Sequence, residues 1–599
     1  MANKLTDVND VKFVLYEQLQ IEELCNSEKF GDHSRETFDM ILDAAEKLAV
    51  NDFQPVNGEG DELGCTWKDG IVKVPGPFHA PYRKFCEGGW LNMAETYDVG
   101  GQGVPLTIDF ACKEMMFAAC HSLIGYTGLT HSAAKVIERY GTEEQKRKYM
   151  GPLYEGRYGG GMNLTEAQAG SDVGAVRTKA FRNPDGTYCI EGGKIFITGG
   201  DTDLTENVVH IILARIEGDP EGTKGLTCFI VPKIRVNGDG SLGEPNDVVC
   251  AGIEHKMGMR GSATCVLKFG ENSRCIGERI GPEQKGIVVM FTMMNEQRAL
   301  VGMQGLAQGS AAYLHALEFA RERHQGSKFG SRDPRQVPII RHPDVKRNIL
   351  WMKAFTEGMR ALVFYVMYCM DRMEAATDGK EKAKWQFFVE VLTPICKAYC
   401  TDKGFDVCIR AIQVHGGYGY CKEYKVEQFA RDCKITSIYE GTNGIQSLDL
   451  FGRKIRMADG AALAALLGEM ETTVQEASQA SALKPAAEEV GKALEGLKRV
   501  TAYLRDDLSS RDAYLAYSWA TPYLEMFGDV VLGWLLLWQA KVAFDSNVKT
   551  GVNGRFYANK VATAKFYIGS VLPAVHGKME TVMKGDRSLV EMGEEITAG

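Results

Sequence analysis

The sequence contains no run of roughly 18 or more consecutive apolar residues, the length a membrane-spanning helix needs. Its most apolar stretch, Val530 to Trp538, is about half as long. Gly533 within it and acidic residues nearby make it read as a buried helix. The N-terminus, Met-Ala-Asn-Lys-Leu-Thr-Asp, has no apolar signal core, so a cytoplasmic protein is expected. No Cys-x-x-Cys pair occurs among the 16 cysteines, and the nearest couple, Cys396 and Cys400, has no matching pair elsewhere. Zinc sites need four clustered ligands. No metal is therefore expected, and the cysteines read as small reduced core residues. Also missing is a Gly-x-Gly-x-x-Gly between a strand and a helix, which leaves a Rossmann dinucleotide site without support. Positive charge is in deficit, 69 Lys and Arg against 78 Asp and Glu, for a formal net charge of -9. That argues against a general basic face for nucleic acid.

What is present is a globular composition, 45% hydrophobic and 25% charged. At 599 residues the chain is too long for one core, so several domains are expected. Residues 1–35 read as a helical arm, with Val11 to Leu24 at helical spacing. Residues 36–158 read as an N-terminal helical domain. Its helices fall around Arg35 to Val50, from Ile108 to Tyr140, and after a cap at Thr142. A Gly-, Pro- and Asp-rich insertion at 51–90 reads as a loop or small hairpin, with a strand at Ile71 to Val74. Residues 159–284 carry short β runs at Tyr188 to Ile190, Ile195 to Ile197, Val208 to Ala214, Leu226 to Val231 and Thr264 to Phe269. Turns such as Asn183-Pro184-Asp185-Gly186 separate them, which predicts an antiparallel sheet or small barrel. The helical period returns over 285–455, and an Ala-rich segment opens a helical extension at 456–599. The fold class is α+β, mostly helical, with segregated layers.

Three glycine- and hydroxyl-rich segments could carry chemistry. In Leu164-Thr165-Glu166-Ala167-Gln168-Ala169-Gly170-Ser171-Asp172, small residues admit a ligand to the backbone and hydroxyls supply donors; a plain turn is the alternative. In Lys194-Ile195-Phe196-Ile197-Thr198-Gly199-Gly200 an aromatic beside a hydroxyl can hold a flat ring, or the run is an ordinary strand and turn. The third pairs Gln413-Val414-His415-Gly416-Gly417-Tyr418-Gly419-Tyr420 with Ile438-Tyr439-Glu440-Gly441-Thr442-Asn443-Gly444. Its glycines offer N–H groups to phosphate. Glu440, between a short apolar-leaning run and Gly441, is a candidate base, since partial desolvation there would raise its pKa; His415 is either a catalytic group or, on the reading preferred here, a residue that packs or donates one structural hydrogen bond.

In order and spacing these segments resemble the acyl-CoA dehydrogenase family, whose pattern runs Thr-Glu-x-x-Ala-Gly-Ser-Asp, Lys-x-Trp-Ile-Thr-Asn-Gly, Gln-x-x-Gly-Gly-x-Gly and Tyr-Glu-Gly-Thr. The resemblance covers about residues 36–455, and the arm, insertion and extension resemble a large subgroup of that family. It implies a helical N-terminal domain, a central antiparallel β domain, a helical bundle and an extra helical domain. It implies FAD held by Thr165, Ser171, Phe196, Thr198, Gln413, Gly416, Gly417 and Thr442, with Arg323 and Gln325 reaching it from a partner subunit. It implies substrate contacts at Ser171, Asn295, Arg298 and Gly441, and a catalytic Glu440. Departures are Phe196 for Trp, Gly199 for Asn, Ala167 for Pro, Asn295 for Asp and Gly444 for Gln, with Gly326 to Lys328 inserted before Phe329.

The implied reaction is α,β-dehydrogenation of an acyl-CoA to the trans-2-enoyl-CoA, as in fatty-acid β-oxidation, by a homodimer or homotetramer. Glu440 would take the α-proton and flavin N5 the β-hydride, with an electron-transfer flavoprotein as acceptor. One alternative is an acyl-CoA oxidase on the same fold. Another is a non-catalytic relative that binds nucleic acid or assists assembly, against which Glu440 and the acidic charge both speak. Some family members carry the base just before the substrate-side arginine, where this chain has Gln297. The adjacent Glu296 would be turned about 100° away on a helix.

Overall fold

The computed structural model describes residues 3–291, 294–550 and 554–593, with the side chains of 294, 295 and 547–550 excepted. In chain order the elements used below are helix α1 (Gln54–Leu63), strands β1 (Thr66–Lys68) and β2 (Ile71–Lys73), and helices α2 (Leu106–Ala119) and α3 (His121–Tyr140). Strands β3 (Tyr158–Asn163), β4 (Lys179–Arg182), β5 (Tyr188–Thr198), β6 (Asn207–Ile216) and β7 (Leu226–Pro232) follow. Then come β8 (Ile234–Val236), β9 (Leu242–Pro245), β10 (Val248–Ile253), β11 (Thr264–Phe269) and β12 (Ile276–Ile280). After helix α4 (Met294–Glu322), strands β13 (His324–Ser327) and β14 (Gln336–Pro338) form a hairpin. Helices α5 (Pro343–Ala375), α6 (Gly379–His415), α7 (Asn443–Gly452), α8 (Ala520–Thr550) and α9 (Gly554–Ser570) complete the set. Contacts divide the chain into two compact units, one of residues 1–38, 105–114 and 298–599, the other of 39–104 and 115–297.

In the second unit an eight-stranded sheet runs in the order β10-β11-β5-β12-β7-β6-β3, with β4 paired to β5 and β6. Strands β6 and β7 are buried almost throughout, because apolar side chains cover both sheet faces. Val209, Ile211 and Leu213 join Ala133, Val136 and Ile137 of α3 in one core. Ile212, Ala214 and Ile216 join Ile190, Ile197 and Leu267 in the other. Alternate residues of one strand thus feed two cores, which is why Val208 to Ala214 reads as an unbroken apolar run. Pairing is antiparallel except where β3 and β4 lie parallel to β6.

One reading needs correction. The stretch Gln54–Leu63 is a helix, not a loop, although it holds two glycines. Pro55 sits in its first turn, where a missing N–H costs nothing. A Cβ on Gly60 would lie 2.3 Å from the Phe78 ring, so this glycine is there for packing. The spacing from Ile108 to Tyr140 is two helices, broken at Cys120. The expected cap at Thr142 is a full capping box with Gln145.

In the first unit α5 and α6 are the long central pair. Helix α8 is long and apolar enough to cross a membrane, but 78% of its most apolar window is buried inside the protein. Trp534 and Trp538 there meet the Tyr365 ring edge-on at 5.4 and 5.9 Å. The arm packs in this unit too: Gln18 donates to the Leu535 carbonyl, and Gln539 donates to Gln18.

Candidate functional site

The first two motif segments fold together in the second unit. Lys194 of β5 is fully buried, and its Nζ donates to Glu166 Oε1 at 2.9 Å and to the carbonyls of Leu164 and Leu213. Glu166 also accepts from the N–H groups of Arg177 and Thr178 and from the Thr178 hydroxyl. Burial pushes the Glu166 pKa up, but Lys194 and these donors outweigh it and hold the carboxyl at about 2. Burial brings Lys194 down to about 8. The Ile195 N–H donates to the Thr165 carbonyl at 3.0 Å, so the Thr165 loop and β5 are fixed to each other.

Just beyond, β5 carries a bulge. Its pairing with β11 steps from Cys265↔Ile197 to Leu267↔Lys194, which leaves Ile195 and Phe196 opposite the single residue Val266. Phe196 sits at φ 59, in the left-handed region, and its ring is 59% exposed. An aromatic side chain there is strained, and such strain collects at functional positions. The hydroxyls of half-buried Thr165 and Thr198 and of exposed Ser171 take no hydrogen bond among the described residues. An exposed flat ring and three unspent hydroxyls are what a planar polar ligand needs.

The remaining residues lie in the first unit. Helix α6 ends at Gly416, with φ 62, and a Cβ on either Gly416 or Gly417 would meet nothing within 4 Å. Both glycines and Gln413 are exposed and leave open space above the backbone, with the Gly416 N–H already donating to the Gln413 carbonyl. His415 is a packing residue: its Nδ1 lies 2.8 Å from the Ala411 carbonyl and its ring stacks on Phe319 at 4.4 Å. Arg323 and Gln325 are exposed at the β13 hairpin, with Arg323 donating to Gln325 and lying over the Tyr418 ring. The Thr442 oxygen caps α7 by accepting from the Ile445 N–H at 3.3 Å. The Gly441 carbonyl accepts from Gln446 at 3.2 Å. Asn295 lies on α4, and its side chain is outside the described residues.

Glu440 has φ 54 and Gly441 φ 81, two left-handed residues in succession. Among the described residues the half-buried Glu440 makes no hydrogen bond through its N–H and no hydrogen bond or ion pair through its carboxylate. Burial raises its pKa, and the nearby charges of Lys397 and Arg298 offset this only in part. Arg298 is buried and paired to Asp449 at 2.8 Å, and its Nε has no partner among the described residues. Glu296 is equally half-buried but paired: in the second unit its carboxylate faces Lys135 at 3.2 Å and His131 at 3.6 Å. Reading the motifs alone assigned no role to Glu166, Lys194, Lys397 or Asn443. Glu166 and Lys194 stood inside quoted motifs, but only a contact shows that they pair.

Comparison with known proteins adds the whole length. Residues 35–157, 161–271 and 284–455 match the N-terminal, middle and C-terminal domains of acyl-CoA dehydrogenase. Residues 466–593 match a domain described as acetyl-CoA dehydrogenase C-terminal like. The chain is 36% identical over 615 residues to a butyryl-CoA dehydrogenase of Syntrophomonas wolfei, covering 99% of each protein. It is 37% identical over 522 residues to the 3-methylmercaptopropionyl-CoA dehydrogenase of Ruegeria pomeroyi, covering 86% of this chain and 87% of the relative. Its fold is that of Caenorhabditis elegans ACDH-11, solved in complex with C11-CoA, at a TM-score of 0.76 and 20% identity over 99% of this chain and 95% of that one. With the domains matched in order and such identity sustained to both ends, the chain belongs to the acyl-CoA dehydrogenase family.

Proposed function

We propose that this chain removes hydrogen from Cα and Cβ of an acyl-CoA thioester, leaving the trans-2-enoyl-CoA, with Glu440 as the base. The observation that carries the reading is the state of Glu440: a carboxylate of raised pKa, without ion pair or hydrogen bond among the described residues, beside an N–H that is likewise unspent among them. Such a carboxylate is poised to take an α-proton. The adjacent N–H can hold the thioester oxygen as negative charge grows on it. Gly441, Arg298, Asn295 and Ser171 are the substrate-side residues.

The cofactor is FAD, and the residues present fit it. Phe196 offers the exposed ring and Thr165 and Thr198 the hydroxyls for the isoalloxazine. Ser171, Gln413 and the open space at Gly416 and Gly417 suit phosphate, and Thr442 lies beside the base. Arg323 and Gln325, on an exposed hairpin, would serve the FAD of a second copy in a homodimer or homotetramer. When bound, FAD supplies the acceptor for the two electrons and the β-hydrogen. An electron-transfer flavoprotein in the cytoplasm then receives the electrons.

The test is anaerobic mixing of FAD-loaded protein with acyl-CoAs of different chain length. Glu440→Gln is expected to retain FAD and bind acyl-CoA but to bleach about 10²- to 10⁴-fold more slowly. Bleaching at near wild-type rate would remove Glu440 from the reaction.

A further inference from the structure

Lys397 is a charge that the reading above leaves unused. It lies on α6, is 0% exposed, and donates from Nζ to the Asn443 side-chain oxygen at 2.9 Å. Asn443 in turn donates to the Ala398 carbonyl and to the Thr401 hydroxyl. These three bonds tie α6 to the first residue of α7, three positions beyond Glu440. The close approach of α4 and α6 that surrounds this point depends on glycine. A Cβ on Gly302 would lie 2.7 Å from the Cys396 carbonyl, and one on Gly404 2.2 Å from the Gly305 carbonyl.

The charged groups around the Glu440 carboxylate are few. Among the described residues the charges of Lys397 on α6 and then Arg298 on α4 act on it, and Asp402 of α6 acts on Lys397. Tyr439 adjoins it on its own segment, with its hydroxyl on Gln304. Beyond Arg298 lie Asp449, Arg453 and Lys454. Arg298 and Arg453 are paired to Asp449, and Lys454 is paired to Glu390. Lys397 makes no ion pair among the described residues, and the charge acting on it most strongly is that of Glu440, ahead of Asp402. Burial pulls Lys397 down to about 7 against the charges of Glu440 and Asp402, so it carries its charge below pH 7 and loses it above. Here the nearby unpaired anion is the base itself.

Resting on the assignment of Glu440 as base, we propose that Lys397 is its positioning residue: a side chain clamped by Asn443 that, when protonated, favours the ionised Glu440 carboxylate within a desolvated site. A cation near a carboxylate lowers its pKa by about 1–3 units. The sign is fixed: removing the cation makes Glu440 hold its proton to higher pH.

The test uses the FAD-loaded full chain and two readouts. The first is an infrared titration of the Glu440 carboxyl band, assigned by its loss in Glu440→Gln, without turnover. The second is the acid limb of the pH profile for anaerobic bleaching by butyryl-CoA. In Lys397→Gln, which keeps an amide donor but no charge, both are expected to move up by about 1–3 pH units. Bleaching should recover on the alkaline side. In Lys397→Arg both should stay within a few tenths of wild type. A carboxyl band that titrates at the wild-type pH in Lys397→Gln overturns the proposal, as does an equal shift in Lys397→Arg. Lys397→Met supplies a second charge-free variant, and failure of both to fold while Lys397→Arg folds assigns Lys397 to the fold and counts against the proposal. Rapid bleaching by Glu440→Gln would sink the base assignment instead, while the infrared titration still decides whether Lys397 governs Glu440.

Discussion

At the scale of the residue, Glu440 works against the stability of the fold. Its backbone is left-handed, and burial raises its pKa in the folded state. A carboxyl whose folded pKa lies above its unfolded value of 4.5 favours folding when protonated. That advantage is complete below the unfolded pKa and lost as pH rises through the folded one. At pH 8 the wild type therefore bears the cost of a half-buried carboxylate that has no ion pair among the described residues, and Glu440→Gln does not. Glu440→Gln is expected to unfold at a higher temperature than wild type at pH 8, with the gap closing towards pH 4. Thermal unfolding at the two pH values checks this, and a lower melting temperature at pH 8 would make Glu440 a structural ion-pair residue. Glu440 was legible in the sequence because it stands in a short motif beside glycines. Lys397 was not, because a lysine inside an apolar helix shows neither its burial nor its partner 46 residues later.

At the scale of the element, the buried Lys194–Glu166 pair holds the Thr165 loop against β5 and so sets the base of the Phe196 bulge. Removing one member of a buried pair leaves the other uncompensated, at about 3–5 kcal/mol. Lys194→Met is expected to destabilise the protein by that amount and to release FAD more readily, measured by denaturant midpoint and by flavin retained on gel filtration. The pairing keeps Glu166 at about 2, so its contribution is present above pH 4.5 and fades as pH falls towards 2. Retention of full stability in Lys194→Met would mean that the other donors suffice for Glu166. Strands β6, β7 and β11 were readable from their apolar runs, since burial on one or both faces selects for them. Strand β3 was not, because its sequence is Tyr-Gly-Gly-Gly-Met-Asn. A Cβ on Gly160 would lie 2.7 Å from the Thr130 Cα, so α3 forces glycine into a strand that local propensity disfavours. Helix α1 was missed for the same reason: tertiary packing at Gly60 overrides composition.

At the scale of the whole molecule, the first unit is closed by charges that sequence reading cannot see, because they come from four distant segments. Arg360 of α5 lies between Glu114 of α2, at 2.6 Å, and Asp10 of the arm. Lys560 of α9 donates to Asp10 at 2.5 Å and to Glu357 at 2.8 Å, and Lys353 also pairs with Glu357. Burial pushes Asp10 up, but Lys560 and Arg360 prevail and hold it at about 2. Lys560→Met is expected to cost about 3–5 kcal/mol, read as a fall in the urea midpoint, with part recovered in the Lys560→Met, Asp10→Asn double variant. No recovery would show that Glu357, not Asp10, is the partner that matters. The network also sets a clock. Arg360 is made about 200 residues before Lys560, which at about 5–20 residues per second is about 10–40 s of translation. Through that interval a growing chain holds Arg360, Asp10, Glu114 and Glu357 but lacks the last cation that lets them be buried together. This half of the protein therefore completes its buried charge network only once the polypeptide has been made as far as α9.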